Sequence, residues 1–328
     1  MTLIGLAAFF ALSTMPPPAL PAYHVNAQLP AGDGGWDLLS VSSADKRLYV
    51  AHGNRVTAID LASGQVTDKL VAGQRAHAAL AIPGTHDVLS TNGETNNAFL
   101  FDGRTGRIRA TIPTGTKPDA AAYDPLTRTV WVMNPGSGDV TVVDPASASV
   151  LSTIAVGGSL ELAVADGHGK MFVNIEDKNE VAVLDTRARK LVGRFPLSGC
   201  DGPTGIALDR RAHEIVSACA NGIAIVSAPD GRKVASLPIG KGADGAAYDP
   251  VRDLVLVPAG RDGNITILRL GVKPAVVGTV ITAKSARTIA VDESTGRAYL
   301  PAADYAAAPA ADRPNLVPGT FRVLVVAP

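Results

Sequence analysis

The chain has 328 residues, of which 46% are hydrophobic, 18% charged and 5% aromatic, and its 30 basic residues balance its 30 acidic ones. A neutral chain without a run of Lys or Arg lacks the positive field that nucleic-acid and anionic-membrane binders need. The few aromatic residues also argue against a broad surface for stacking bases. We therefore expect neither nucleic acid nor a membrane as partner.

The first 22 residues differ from the rest of the chain. An apolar run from Leu3 to Leu12 is followed by three prolines and by a small residue at Ala22. The run is too short to span a membrane, and the pattern is typical of a signal peptide, although no basic residue precedes it. The sequence therefore predicts a signal peptide over residues 1–22 and a periplasmic or secreted protein over residues 23–328.

A short strand that ends at or near glycine returns about every 42 residues. Its copies cover residues 28–32, 69–73, 111–115, 153–157, 194–199, 236–240 and 279–282. A period of about 40–45 residues without a helical pattern is typical of four-stranded propeller blades. The repeat predicts an all-β, seven-bladed β-propeller with four antiparallel strands per blade.

Each repeat contains the same sequence of strands and turns. In the third repeat, residues 119–123, 129–133 and 140–144 read as the first three strands, with β-branched residues bounded by Gly, Pro, Asn and Asp. Third strands end in aspartates, which we expect to accept backbone hydrogen bonds in the next hairpin. These aspartates are Asp60, Asp102, Asp144 and Asp185.

The two ends of the chain predict how the ring closes. The last repeat stops after its third strand at residues 321–326, and residues 23–29 read as the missing fourth strand. Pairing the two ends removes free sheet edges that would invite aggregation. We expect a closed ring and a monomer.

The repeats resemble the YVTN-type, YncE-like seven-bladed propellers of exported bacterial proteins. Residues 129–134 and 140–144 carry the general resemblance, and residues 199–205, 286–290 and 318–325 resemble a YncE-like subgroup. The resemblance covers residues 23–328 and implies the fold and export. The family has no agreed reaction, so it implies no catalytic residues.

One residue per repeat, just before or at the start of the inner strand, is expected to face one mouth of the central channel. These residues are Asp37, His77, Asp119, Glu161, Thr204, Asp244 and Arg287. Carboxylates so close together must gain protons or bind a cation, and Arg287 can neutralise one of them. Asp37, His77, Asp119, Glu161 and Asp244 are therefore candidate ligands of one divalent metal ion.

The sequence leaves open which metal would bind, and a metal-free channel is the alternative. Oxygen ligands alone would favour calcium or magnesium, whereas His77 favours zinc or manganese. The other interpretation is a metal-free channel in which the acids cap strand amides and hold ordered water.

A second column, at the ends of the second strands, contains His52, Asn92 and Asn134. Paired across repeats, His52 and His77 are candidate acid-base residues, and single surface imidazoles are the alternative. Arg287 and Tyr305 complete the candidate catalytic set. Tyr305 lies in an irregular segment, residues 302–318, which is either a lid over the channel or an Ala/Pro-rich spacer.

Cys200 and Cys219 flank the first two strands of the fifth repeat. An exported chain favours a disulfide between them. A thiolate pair that binds a soft metal, or a nucleophile, would need an activating histidine nearby, and the neighbouring sequence has none.

Three functions fit these residues. The first is a binding protein that takes a small molecule, a metal or an envelope protein at the channel mouth. The second is a metal-assisted hydrolase or lactonase, or a lyase or isomerase using the same residues. The third is a structural role at the cell surface.

Overall fold

The computed structural model describes residues 23–306 and 315–328. The predicted signal peptide and residues 307–314 of the predicted lid lie outside the described residues. The described chain is all-β, and its helical content is one 3₁₀ turn at Glu176–Lys178. No helix in the described ranges is long and apolar enough to cross a membrane.

The described residues form 26 strands in six antiparallel sheets, which we call blades. The six-stranded blade contains β2 Leu39–Ser42, β3 Arg47–Asp60, β4 Val66–Ala81, β5 Asp87–Asn92, β6 Asn97–Asp102 and β7 Ile108–Pro113. The next two blades contain β8 Ala121–Asp124, β9 Thr129–Asn134, β10 Asp139–Asp144 and β11 Ser149–Ala155, then β12 Leu160–Ala165, β13 Lys170–Ile175, β14 Glu180–Asp185 and β15 Lys190–Pro196. The following two contain β16 Pro203–Asp209, β17 Glu214–Cys219, β18 Ile223–Ser227 and β19 Lys233–Pro238, then β20 Ala247–Asp249, β21 Leu254–Ala259, β22 Asn264–Arg269 and β23 Ala275–Ile281. The closing blade contains β24 Ala290–Asp292, β25 Arg297–Ala302, β26 Arg322–Ala327 and β1 His24–Pro30.

The prediction of seven four-stranded blades is wrong, because the strands form six blades. The difference lies in β3 and β4, each of which runs on where the repeat predicts a break. β3 pairs with β2 over its first residues and with β4 from Gly53 onwards. β4 pairs with β3 and, from Ala76, with β5. Two sequence repeats are thereby joined into one six-stranded blade.

The predicted closure is confirmed. β1 pairs with β26 from His24↔Ala327 to Pro30↔Arg322, so the N-terminal strand completes the blade made by the end of the chain. Tyr23 is buried beside this strand, and its hydroxyl donates a hydrogen bond to Asp249 of the preceding blade. The closing strand is therefore tied to two blades.

The inner segments of the blades contact each other in a ring around the channel. Contacts run from β2 to the C-terminal part of β4, then through β8, β12, β16, β20 and β24, and back to β2. At Gly205 in β16, an added Cβ would lie 2.4 Å from the carbonyl carbon of Gly245, so glycine permits this close approach. Apolar side chains fill the space between blades, and fully buried Trp131, Phe172 and Phe321 are among the largest.

The third-strand aspartates behave as predicted. The carboxylates of Asp60, Asp102 and Asp185 each accept hydrogen bonds from the backbone N–H groups two and three residues further along the chain. The carboxylate of Asp144 accepts one from the N–H group two residues further on. They stabilise turns at the outer part of the blades and take no part in the channel.

Candidate functional site

The predicted mouth residues lie at one end of the inner segments. Asp37, Asp119 and Asp244 come shortly before β2, β8 and β20, whereas His77 and Glu161 lie within β4 and β12. Backbone hydrogen bonds set these positions. Leu38 N donates to the carbonyl of His77 at 2.9 Å, which holds two inner segments side by side. We call Asp37, His77, Asp119, Glu161, Asp244 and Arg287 the mouth cluster.

His77 lies between two carboxylates. Its Nδ1 is 2.7 Å from Asp37 Oδ2 and 3.8 Å from Asp119 Oδ1. The side chains of Asp37, His77 and Asp119 are 21%, 20% and 29% exposed, and one donor atom from each lies within 4.8 Å of the other two. Gly93 makes room for the imidazole, since a Cβ there would lie 2.8 Å from His77 Cδ2.

Arg287 holds the opposite side of the cluster. Its Nε donates to Asp244 Oδ2 at 2.7 Å, its Nη2 donates to the carbonyl of Trp36 at 3.1 Å, and Nη2 is 3.8 Å from Asp37 Oδ1. The guanidinium carbon also lies 5.9 Å from the centroid of the Trp36 ring. Arg287 thus neutralises Asp244 and connects both ends of the sequence at the mouth.

Asp119, Glu161 and Asp244 have pKa values above the usual range of carboxyl groups. Burial and then the charge of Asp37 raise the pKa of Asp119 to about 7, while burial raises that of Asp244 to about 6 against the opposing effect of Arg287. Burial lowers the affinity of His77 for its proton, but the hydrogen bond to Asp37 and the charge of Asp119 outweigh burial and raise the pKa of His77. Protons therefore offset part of the negative charge near neutral pH.

Glu161 has the largest pKa shift among these carboxyls. Burial raises its pKa to about 9, with further contributions from Asp119, Glu176, Asp244 and Asp37. Glu176 is a neighbour that sequence reasoning missed. It begins the 3₁₀ turn directly after Ile175, the last residue of β13, and belongs to neither predicted column.

His52 lies apart from the mouth cluster. It is fully buried, its Nδ1 is 3.0 Å from Thr57 Oγ1, and its ring centroid is 4.2 Å from that of Phe321. Burial and then the charge of Arg55 lower its pKa to about 4. No described hydrogen bond or ion pair joins His52 to the cluster, and its acid-base role beside His77 stays a prediction.

The two asparagines of the same column serve neighbouring backbone and side chains. Asn92 accepts a hydrogen bond from Gln74 N and donates to Asn97, and Asn134 donates to Asp139 and Thr141. Both are fully buried. They support strand ends at the mouth.

Tyr305 contacts the ring of Trp36, which in turn lies beside Arg287 of the mouth cluster. The ring centroids of Trp36 and Tyr305 are 6.2 Å apart, and Tyr305 is 43% exposed. The described ends of the predicted lid are paired, since Ala306 N donates to the carbonyl of Asn315 and Val317 N to that of Asp304. The segment therefore begins and ends beside the mouth.

The predicted disulfide is confirmed. Cys200 and Cys219 are bonded, with their Cα atoms 5.5 Å apart. Cys219 ends β17 in register with Pro203, the first residue of β16. The bond fixes the loop before β16, which carries Thr204 at the mouth.

No protein-family model and no curated protein matches the chain. Solved structures do match. A chain of the hydrazine synthase of Kuenenia stuttgartiensis is 17% identical with a TM-score of 0.69, over 84% of this chain and 94% of that one. A chain of a mitotic checkpoint complex is 13% identical with a TM-score of 0.75, over 100% of this chain and 99% of that one. At these identities the likeness supports the propeller fold alone.

Proposed function

We propose that the protein is an exported, YncE-like propeller that binds a divalent transition-metal ion, manganese or zinc, at Asp37, His77 and Asp119. The observation that carries this is the placing of one imidazole and two carboxylates with donor atoms within 4.8 Å of one another. An imidazole beside carboxylates suits zinc or manganese better than calcium, which prefers oxygen ligands alone.

Charge in the cluster supports a cation. Burial, and after it the charge of neighbouring carboxylates, raises the pKa values of the Asp119 and Glu161 carboxyls. A metal ion would replace the protons that now balance this charge. Arg287 is paired with Asp244, which leaves Asp37 and Asp119 as the carboxylates next to His77.

Export is supported by the disulfide, since such bonds persist in oxidising compartments. Three protein donors leave further coordination positions for water or a small polar molecule. Binding of a small ligand through the metal is therefore part of the proposed function.

The test is calorimetric titration of the chelator-treated protein with Mn²⁺ and with Zn²⁺. We expect one ion per chain, and the affinity should fall at least about tenfold in Asp119→Asn and in His77→Gln. Asp201→Asn, at an exposed position outside the cluster, is the matched control and should bind as the unchanged protein does. Equal binding by all variants, or none by the unchanged protein, would contradict the proposed site.

The hydrolase, lactonase or lyase activity expected from the sequence stays a prediction. His52, one of its two candidate proton relays, lies outside the cluster, and Arg287 is already paired with Asp244. His77 is then both metal ligand and remaining relay. Binding is the function that the geometry supports best.

A further inference from the structure

The end of the channel opposite the mouth cluster is a wide cavity. It has a volume of about 710 Å³ and lies where the inner segments run into the turns toward the second strands. We call this cavity the funnel. Its size lies within the usual range of small-molecule sites, about 300–1,000 Å³.

The funnel wall is mainly apolar. Alanines from successive inner segments, such as Ala121, Ala163, Ala207 and Ala247, widen the channel, and Leu80 and Val164 add apolar surface. A ligand that removes such apolar side chains from water gains binding free energy. The two ends of the channel thus differ in chemistry.

Three polar side chains of the wall are already paired within the protein. Ser40 Oγ donates to the carbonyl of Ala79 and accepts from Ala81 N, so it joins two inner segments. Thr85 Oγ1 donates to the carbonyl of Ile82. The hydroxyl of Tyr248 donates to Asp253 at 2.9 Å. These groups present little unpaired hydrogen-bonding capacity to an occupant.

The charged groups at the rim have partners within the protein, and two of them form an ion pair. Arg210 and Glu293 form an ion pair of 2.7 Å, and Arg210 lies over the Tyr248 ring. Asp166 accepts three backbone N–H groups in its own turn. Arg210 and Glu293 therefore offset each other, and Asp166 is held by the N–H groups of its own turn.

The funnel narrows toward the mouth. A void of about 100 Å³ follows, bounded by apolar residues that include Leu38, Leu162 and Ile289. Leu38 and Leu162 directly follow Asp37 and Glu161 in the sequence. Apolar side chains thus separate the funnel from the acidic cluster.

From the volume, the apolar wall and the paired polar groups, we propose that the funnel is a second binding site, for a neutral and mainly apolar small molecule. Such a molecule would gain affinity from the apolar area that it removes from water, about 25 cal/mol per Å². The site is independent of the proposed metal site.

The test uses the neutral fluorophore N-phenyl-1-naphthylamine as the probe. We expect saturable binding of one probe per chain, and about tenfold weaker binding in Ala163→Phe and in Ala247→Phe, whose rings would occupy the funnel. Ala27→Phe, on the exposed outer strand β1, is the matched control and should bind normally. Unfolding temperatures identify the variants that fold.

A measurement on the unchanged protein makes the outcome independent of those variants. Photolabelling with benzophenone, another neutral apolar probe, should place the label on peptides that contain β8, β12 or β20. Label scattered over the surface, or probe binding that is unsaturable or unaffected in both folded variants, would overturn the proposal. Probe binding should also persist in Asp119→Asn, so failure here is distinguishable from failure of the metal site.

Discussion

Glu161 is the residue whose charge the fold opposes most clearly. Its pKa is raised to about 9, above the ordinary value of 4.5, by burial and by the surrounding carboxylates. At pH between these values, the folded state binds a proton that the unfolded state has lost. The contribution of Glu161 to stability therefore falls as pH rises from about 4.5 to about 9.

Replacing Glu161 with Gln removes this pH-dependent cost. In the presence of chelator, Glu161→Gln should increase the free energy of unfolding at pH 8 by about 1 kcal/mol. For a domain of 150–250 residues this corresponds to a rise of about 2–4 °C in the unfolding temperature. At pH 4 the two proteins should unfold at similar temperatures. Differential scanning fluorimetry across pH 4–9 measures this, with exposed Glu94→Gln as control. A stabilisation equal at both pH values would contradict the shifted titration.

The same cluster shows what could be read from the sequence at the level of single residues. A repeat column fixes which side chains start an inner segment, so it correctly brought Asp37, His77 and Asp119 together. It carries no information on depth. His52 is covered by Phe321, which arrives from the far end of the chain, and Glu176 lies in a 3₁₀ turn that the repeat does not contain.

Single elements carry two further lessons. Strand periodicity and turn residues predicted the strands and the closure, because both depend on local patterns that every repeat shares. The number of blades depends on whether the connection between strands breaks. At Gly53 the backbone continues as strand, so β3 joins two predicted strands of the first repeat. Around Ala76 it continues again, so β4 runs from the first repeat into the second. No local pattern in the sequence predicts that β3 and β4 continue without a break.

The disulfide is an element-level constraint whose effect can be measured. The double variant Cys200→Ser/Cys219→Ser should have a free energy of unfolding about 2–4 kcal/mol lower, because the disulfide reduces the conformational entropy of the unfolded chain. Urea denaturation of the oxidised protein and of the variant measures the difference.

Thiol reduction of the unchanged protein should give the same loss, and reduction should have no effect on the variant. Metal binding at the mouth should survive, because Thr204, the mouth residue beside the disulfide, is not a proposed ligand. A variant as stable as the oxidised protein would show that the packing around the buried Cys219 suffices without the bond.

Over the whole molecule, the ring separates two kinds of chemistry. Six of the seven inner segments place an ionisable side chain at one end of the channel, and the seventh places Thr204 there. Small apolar side chains line the other end, with an apolar constriction between the two. The arrangement exists only while the ring is closed, since Arg287 reaches Trp36 and Asp37 across the join between the two chain ends. Closure is thus a condition for the site as well as for stability.

A chain that begins at Ala31, and so lacks β1, should test this dependence against one that begins at Tyr23. The shortened chain loses the strand pairing between β1 and β26. It also loses Tyr23, whose burial and hydrogen bond to Asp249 stabilise the join. Losing several kcal/mol of burial and hydrogen bonding should lower the unfolding temperature by about 10 °C. The uncovered edge of β26 should also promote self-association, visible by size-exclusion chromatography with light scattering.

Adding a synthetic peptide of residues 23–30 distinguishes lost closure from general damage. The peptide can pair with the free edge of β26 as an added strand, so it should raise the unfolding temperature of the shortened chain in a concentration-dependent way and restore the monomer. A scrambled peptide of the same composition should do neither. If the chain that begins at Ala31 is already monomeric and as stable as the longer one, the closing strand does not hold the ring together. Its loss should then also leave metal binding at Asp37 and His77 intact.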